Sequence, residues 1–131
     1  MYNDPNAYLI NHINIALSRK FLRTTIKFSI RILNLIKILY KLGCIKNYYI
    51  FKKKLTYIRF SIFFYKNQTF YKNIKQISTN SKNFNISLLA LKKLNTLSKT
   101  PIFLVSTSKG ILTNKEAVKS LVGGKLICVL G

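Results

Sequence analysis

The sequence predicts an α+β protein of two small lobes. The first, residues 1–66, reads helix-strand-helix-strand-strand; the second, residues 67–131, reads mostly β with one short capped helix. Three observations predict this. Two blocks of helix-spaced apolar residues fall in the first third of the chain, period-two alternation follows each of them, and a capping box lies between two apolar runs near the C-terminus. At 131 residues and 49% hydrophobic content, the chain is large and apolar enough for a packed core.

The elements follow in order. Asp4 then Pro5 is an N-cap and first-turn pair, and Leu9, Ile10, Ile13 and Leu17 continue at helical spacing for about three turns. After the basic segment Arg19 to Arg23, TTIKFS alternates Ile26 and Phe28 with Thr25 and Lys27, as a strand does. Ser29 is placed to cap a second helix. Arg31, Asn34, Lys37 and Lys41 fall on one of its faces, and Ile32, Leu35, Ile36, Leu39 and Leu42 on the other. Gly43 stands where a helix end favours a left-handed residue.

Strands are expected over Asn47 to Phe51 and Leu55 to Tyr65, joined by a lysine turn, with Lys66-Asn67-Gln68-Thr69 as the lobe boundary. Beyond it come a strand from Tyr71 to Ser78, a polar turn from Thr79 to Asn85, and a short helix or irregular apolar bracket from Leu88 to Leu97. Pro101 opens a strand from Ile102 to Ser106. Thr113-Asn114-Lys115-Glu116 matches a capping box, its helix ends before Gly123-Gly124, and Lys125 to Leu130 is the last strand.

Charge narrows the function. There are 23 Lys and Arg against two acids, a formal +21. A domain so one-sided repels itself unless a polyanion or an anionic surface relieves it. A membrane span is not expected, because the most apolar stretch, FSIRILNLIKIL from Phe28, is broken by Arg31 and Lys37. No signal peptide or Arg-rich presequence is read ahead of Asp4-Pro5, so the chain is expected to work where it is made or to have lost its targeting segment. Abundant Lys, Asn, Ile, Phe and Tyr, with Lys far ahead of Arg, point to an AT-rich, organellar gene.

Enzyme chemistry finds few residues to use. Asp4 and Glu116 are both assigned to helix starts, which leaves no carboxylate pair for acid–base work and none for magnesium. His12 is the only histidine, Cys44 and Cys128 are far apart, and no CxxC occurs. Neither a zinc set nor a disulfide is supported, and a Cys44–His12 nucleophile pair is a weaker account than two structural side chains. SKG lacks the order of a phosphate-binding P-loop. No enzyme, cofactor, metal or small-molecule substrate is expected.

Residues 105–117, VSTSKGILTNKEA, supply what charge alone cannot. Lysines meet phosphates without reading sequence, whereas Ser106, Thr107 and Ser108 can donate to and accept from base edges and 2′-hydroxyls. Gly110 beside them permits close backbone approach. An ordinary hydroxyl-rich turn accounts for the same residues, and the pattern alone leaves both readings open.

VSTSKGILTNKEA, followed by GGKLICVL from Gly123, closely resembles the C-terminal signature of the bacterial-type small-subunit ribosomal protein S-eight family. That signature is VSTSKG, then T-[DN]-x-E-A, then GGE and an apolar strand. Asp4-Pro5, the Ser29 to Leu42 helix with Gly43, and the Tyr71 to Ser78 strand fall in the family's order, so the resemblance spans essentially the whole chain. It implies a two-lobed α+β protein that binds a helix in the central domain of small-subunit rRNA early in assembly and contacts the neighbouring S-five protein.

The family's RNA-contacting hydroxyls fall on Ser106, Thr107 and Ser108, with Lys109 and Gly110 beside them, and its glycine pair on Gly123 and Gly124. Lys125 stands where the family has an acid, turning an acceptor into a cationic donor. Where the family's first helix carries TRIRN, this chain reads Asn11-His12-Ile13-Asn14-Ile15, and Arg19, Lys20 and Arg23 are placed to compensate. The tyrosine of the family's RIYK stretch has no clear counterpart; Phe84 is nearest.

The expectation is thus a structural protein of the small ribosomal subunit in the mitochondrion, or alternatively in a plastid or apicoplast. Substituting Thr107 or Ser108 by Ala should weaken cognate RNA selectively. Two other readings remain: a basic amphipathic membrane-surface protein with the Ser29 to Leu42 helix in the interface, and an RNA chaperone outside the ribosome.

Overall fold

A computed structural model describes residues 4–20, 23–62, 74–78, 82–96 and 101–130. They belong to two compact units, Met1–Asn73 and Ile74–Gly131. The polar stretch 66–69 lies outside the described residues, as do 63–65 of the expected third strand and 71–73 of the fourth.

In the first unit, α1 spans Pro5–Arg19, and its start is held by the Ala7 N–H donating to Asp4 Oδ1 at 3.3 Å. Leu9, Ile10, Ile13 and Ala16 form its buried stripe. After β1 (Arg23–Lys27), α2 runs from Ile30 to Lys41 and buries Ile32, Leu35, Ile36, Ile38 and Leu39. Ser29 is its N-cap residue by backbone geometry, but the hydroxyl makes no capping hydrogen bond, contrary to expectation.

The C-terminal end of α2 behaves as its glycine requires. Gly43 takes φ +87°, the Gly43 N–H donates to the Tyr40 carbonyl at 3.1 Å, and the Cys44 N–H donates to the Leu39 carbonyl at 3.0 Å. These two bonds make a Schellman ending.

β2 (Ile45–Lys52) and β3 (Thr56–Ile62) complete an antiparallel sheet in the order β1-β3-β2. Leu55, expected in β3, lies instead in the turn, where the Lys53 N–H donates to the Leu55 carbonyl at 3.0 Å. Ile26, Ile58, Phe60 and Ile62 are buried on the side where the helices pack.

The second unit contains β4 (Ile74–Gln76), β5 (Asn85–Ile86), α3 (Leu88–Asn95), β6 (Ile102–Thr107), β7 (Gly110–Thr113), α4 (Asn114–Lys119) and β8 (Gly124–Leu130). Its antiparallel sheet has the order β4-β8-β6-β7, and β5 also pairs with β8. A bulge between Leu104 and Val105 in the β6–β8 ladder lets both consecutive residues be fully buried. Val105 packs with Leu91 and Ala117, surrounded by Ile86, Leu112, Val118, Val122 and Leu126.

Two local points are decided. Of the two readings for the segment from Leu88, the helix is the one found, over Leu88–Asn95, and the Ala90 N–H caps it by donating to Ser87 Oγ at 3.2 Å. The hydroxyl-rich segment is not a loose connection between strand and helix: β7 follows the turn directly, so the segment is a hairpin.

Candidate nucleic-acid interface

The β6–β7 hairpin turns at Ser108-Lys109, with Thr107 paired to Gly110. Gly110 takes φ +102°, a conformation that side-chain-bearing residues rarely adopt. The turn is tied by Thr107. Its hydroxyl accepts from the Lys109 N–H at 3.1 Å and donates to the Gly110 carbonyl at 2.8 Å. Its proton is thus committed inside the chain, and the residue sets the shape of the turn.

Ser106 and Ser108 are exposed, and no other described residue uses their hydroxyls. Lys109 is exposed and folds back, donating from Nζ to the Ser120 carbonyl at the C-terminal end of α4, 3.4 Å away. That end of a helix favours a cation.

Ser106 has a neighbour on each side: Ile111 in β7 and Lys125 in β8. On the far edge of β8, Lys125 pairs with Asn85. Directly opposed residues share a sheet face, so Ser106, Lys125 and Asn85 form a polar row across β6, β8 and β5. Asn85 had no signal in the sequence, where it reads as the end of a polar turn. Phe84, beside it, is half exposed. Its N–H donates to Ser78 Oγ at 3.0 Å, and its carbonyl accepts from the Leu126 N–H at 2.8 Å.

The glycine pair has a packing reason. A Cβ on Gly123 would lie 2.6 Å from the Ile86 carbonyl oxygen and 3.0 Å from the Leu88 nitrogen. One on Gly124 would run into the Ser106 carbonyl. The missing side chains let β8 begin against both β6 and the start of α3, which brings Lys125 beside Ser106.

Behind the hairpin, Thr113 caps α4. Its hydroxyl accepts from the Glu116 N–H at 3.2 Å and donates to Glu116 Oε1 at 3.3 Å. Asn114, only 2% exposed, is a further support that the sequence did not reveal. Its Nδ2 donates to Asn95 Oδ1 at 2.9 Å, and its Oδ1 accepts from the Phe103 N–H at 3.4 Å. Asn95 Nδ2 donates in turn to the Asn114 carbonyl at 3.2 Å. The start of α4, the end of α3 and the start of β6 are thereby tied together.

Of the residues singled out in the sequence, Ser106, Thr107, Ser108, Lys109, Gly110, Gly123, Gly124 and Lys125 come together around β6, β7 and β8. Arg19 and Lys20 end α1 and Arg23 begins β1, all three exposed in the first unit. The Cys44 thiol is pushed up to about 12 by burial, so it stays protonated at neutral pH, while His12 meets Tyr8 edge-on at 4.5 Å.

Fold and site together define a strongly basic α+β protein that presents a stiff hydroxyl hairpin and a polar cross-strand row. The family model for ribosomal protein S8 matches residues 4–130. The small ribosomal subunit protein uS8 of Mycoplasmopsis pulmonis (strain UAB CTIP) is 33% identical over 132 residues, which cover 97% of this chain and 96% of that protein. The small ribosomal subunit protein uS8m of Acanthamoeba castellanii is 28% identical over 119 residues, 91% of this chain and 92% of that protein. The uS8 protein of Ureaplasma parvum serovar 3 (strain ATCC 27815 / 27 / NCTC 11736) is 35% identical over 135 residues, 97% of each. The chain belongs to the ribosomal protein S8 family.

Proposed function

We propose that this chain is a structural constituent of the small ribosomal subunit, where it binds and stabilises a central-domain rRNA helix during assembly and translation. The observation that carries the reading is the hairpin itself. Two outward serine hydroxyls flank a threonine that locks the turn, and a lysine stands beside the first of them. Lysines and arginines draw the protein to RNA by counterion release, and the pre-positioned hydroxyls select an irregular RNA surface. Selection uses no covalent chemistry, cofactor or metal.

The rRNA contact belongs to the C-terminal lobe, from about residue 67 onward. Arg19, Lys20 and Arg23 supply phosphate contacts from the other lobe, and an S-five protein is a neighbour. The setting is an organellar, mitochondrial ribosome. Support comes from the Acanthamoeba castellanii relative and from the codon-driven composition, although the bacterial relatives are as similar. The membrane-surface reading loses its basis, because the apolar face of α2 is buried within its unit. Among the described residues, no helix is long and apolar enough to cross a membrane.

A titration of purified protein at two salt concentrations tests the reading. It compares the central-domain helix of its own small-subunit rRNA with a scrambled hairpin of equal length. The native helix should be preferred, and the preference should persist at the higher salt. Equal affinities that collapse together would mean that charge alone is at work.

A further inference from the structure

The side of the first sheet opposite the helices carries an organised surface. Thr25, Arg59 and Tyr49 stand in one row across β1, β3 and β2, and Lys27, Tyr57 and Phe51 in the next. Tyr49 is half exposed, and Thr25 and Lys27 are exposed. The Arg59 guanidinium lies 5.1 Å from the Phe51 ring centroid and 5.8 Å from that of Tyr49. Its Nε donates to Thr25 Oγ1 at 3.0 Å and one terminal nitrogen donates to Tyr49 Oη at 2.9 Å. Phe51 stacks on Tyr57, with centroids 5.7 Å apart and planes 25° apart, and meets Tyr49 at 5.9 Å.

Sheet stability alone asks for less than this. Cross-strand pairs would satisfy it with any β-formers, yet this face joins three aromatic rings to a pinned guanidinium. Two hydrogen bonds fix Arg59, and its remaining N–H groups stay available to a ligand. The ionic side chains in the two rows, Lys27 and Arg59, are both cationic. Neither acid of the chain lies there, since Asp4 caps α1 and Glu116 sits in α4. Flat aromatic rings beside a fixed cation stack nucleobases, while cations at the rim meet phosphates. Bases inside a duplex cannot reach a sheet, so the ligand must carry unpaired nucleotides.

We propose that the open face of the N-terminal sheet, centred on Tyr49, Phe51, Tyr57 and Arg59, is a second RNA site that stacks unpaired nucleotides. The proposal rests on RNA being the partner of this chain, but not on the β6–β7 hairpin.

Full-length protein would be titrated with an oligouridylate of about ten nucleotides and, in parallel, with the central-domain helix. Ultraviolet cross-linking to the oligouridylate would be mapped by mass spectrometry. Adducts are expected on peptides containing Tyr49, Phe51 or Tyr57. The double variant Tyr49→Ala/Phe51→Leu should bind the oligouridylate about tenfold more weakly, with the salt dependence unchanged, as lost stacking requires. Arg59→Lys keeps the charge and removes the planar fork, and it should lose several-fold, which guards against a misfolded double variant. Wild-type affinity in both variants, with adducts elsewhere, would overturn the site and leave a protein neighbour as the occupant of the face. Loss of native-helix preference alone would count against the hairpin reading, and no binding to either RNA would overturn both.

Discussion

Lys125 stands directly opposite Ser106 in the β6–β8 ladder because Gly124, one residue earlier, has no side chain to collide with the Ser106 carbonyl. Gly124, the second glycine of the family signature, is therefore a spacer between backbones, and Lys125 is the residue it brings beside Ser106.

Gly124→Ala should accordingly cost stability. A Cβ there meets backbone on β6 rather than a flexible side-chain end, so the strands must part. The loss should be at least 1–3 kcal/mol, roughly the range for overpacking a tight site, read from urea unfolding. Cognate RNA affinity should fall with it. An alanine variant of wild-type stability would mean that β8 does not lie this close to Ser106.

Thr107 and Ser108 should separate in experiment, although adjacent hydroxyls look alike in the sequence. Ser108→Ala leaves the turn intact and should weaken cognate RNA by about 1–3 kcal/mol with stability unchanged, as for a lost buried polar contact in the complex. Thr107→Ala removes both ties of the turn, so it should also speed amide exchange at Lys109. Thr107→Ser should restore both properties. Identical behaviour of the two alanine variants in exchange would remove the distinction.

Much of this arrangement was legible in the chain. Asp4, Gly43 and Thr113 act locally, through bonds to residues within a few positions, so their roles can be read from spacing. The hairpin was not legible, since Ile111 and Leu112 between two polar clusters could equally belong to a loop; pairing with Ser106 and Val105 decides it. Asn114 and Asn85 escaped for the same reason. Their partners, Asn95 and Phe103 for one and Lys125 for the other, are set by tertiary contact. The aromatic rows of the first sheet alternate correctly for a strand, but only the register of β2 on β3 brings Arg59 over Tyr49 and Phe51.

The Cys44 thiol sets a pH dependence at the alkaline end. Burial raises its pKa from 9.0 to about 12. Between these values the unfolded chain loses the proton while the folded chain keeps it, so the folded state binds more protons and stability falls as pH rises from about 9 toward 12. Below about pH 9 both states are protonated and the effect vanishes. Relative to Cys44→Ala, the wild type should show the steeper alkaline loss in unfolding midpoints. A parallel pH profile for the two proteins would show that the thiol ionises freely in the fold.

Leu121 offers a gain. It is the residue after the Ser120 cap of α4 and takes φ +57°, the left-handed conformation in which a Cβ crowds its own backbone. The Leu121 N–H donates to the Val118 carbonyl and the Val122 N–H to the Ala117 carbonyl, both at 3.1 Å, so the helix ending depends on that conformation. The side chain is 66% exposed, and trimming it leaves little void. Leu121→Gly should therefore stabilise the protein by up to about 1 kcal/mol, despite the freedom a glycine adds to the unfolded chain. Asn, which also tolerates this region, should do so by less. Thermal melts of the two variants check the order, and a Gly variant that melts lower than wild type would mean that Leu121 makes apolar contacts worth more than its strain.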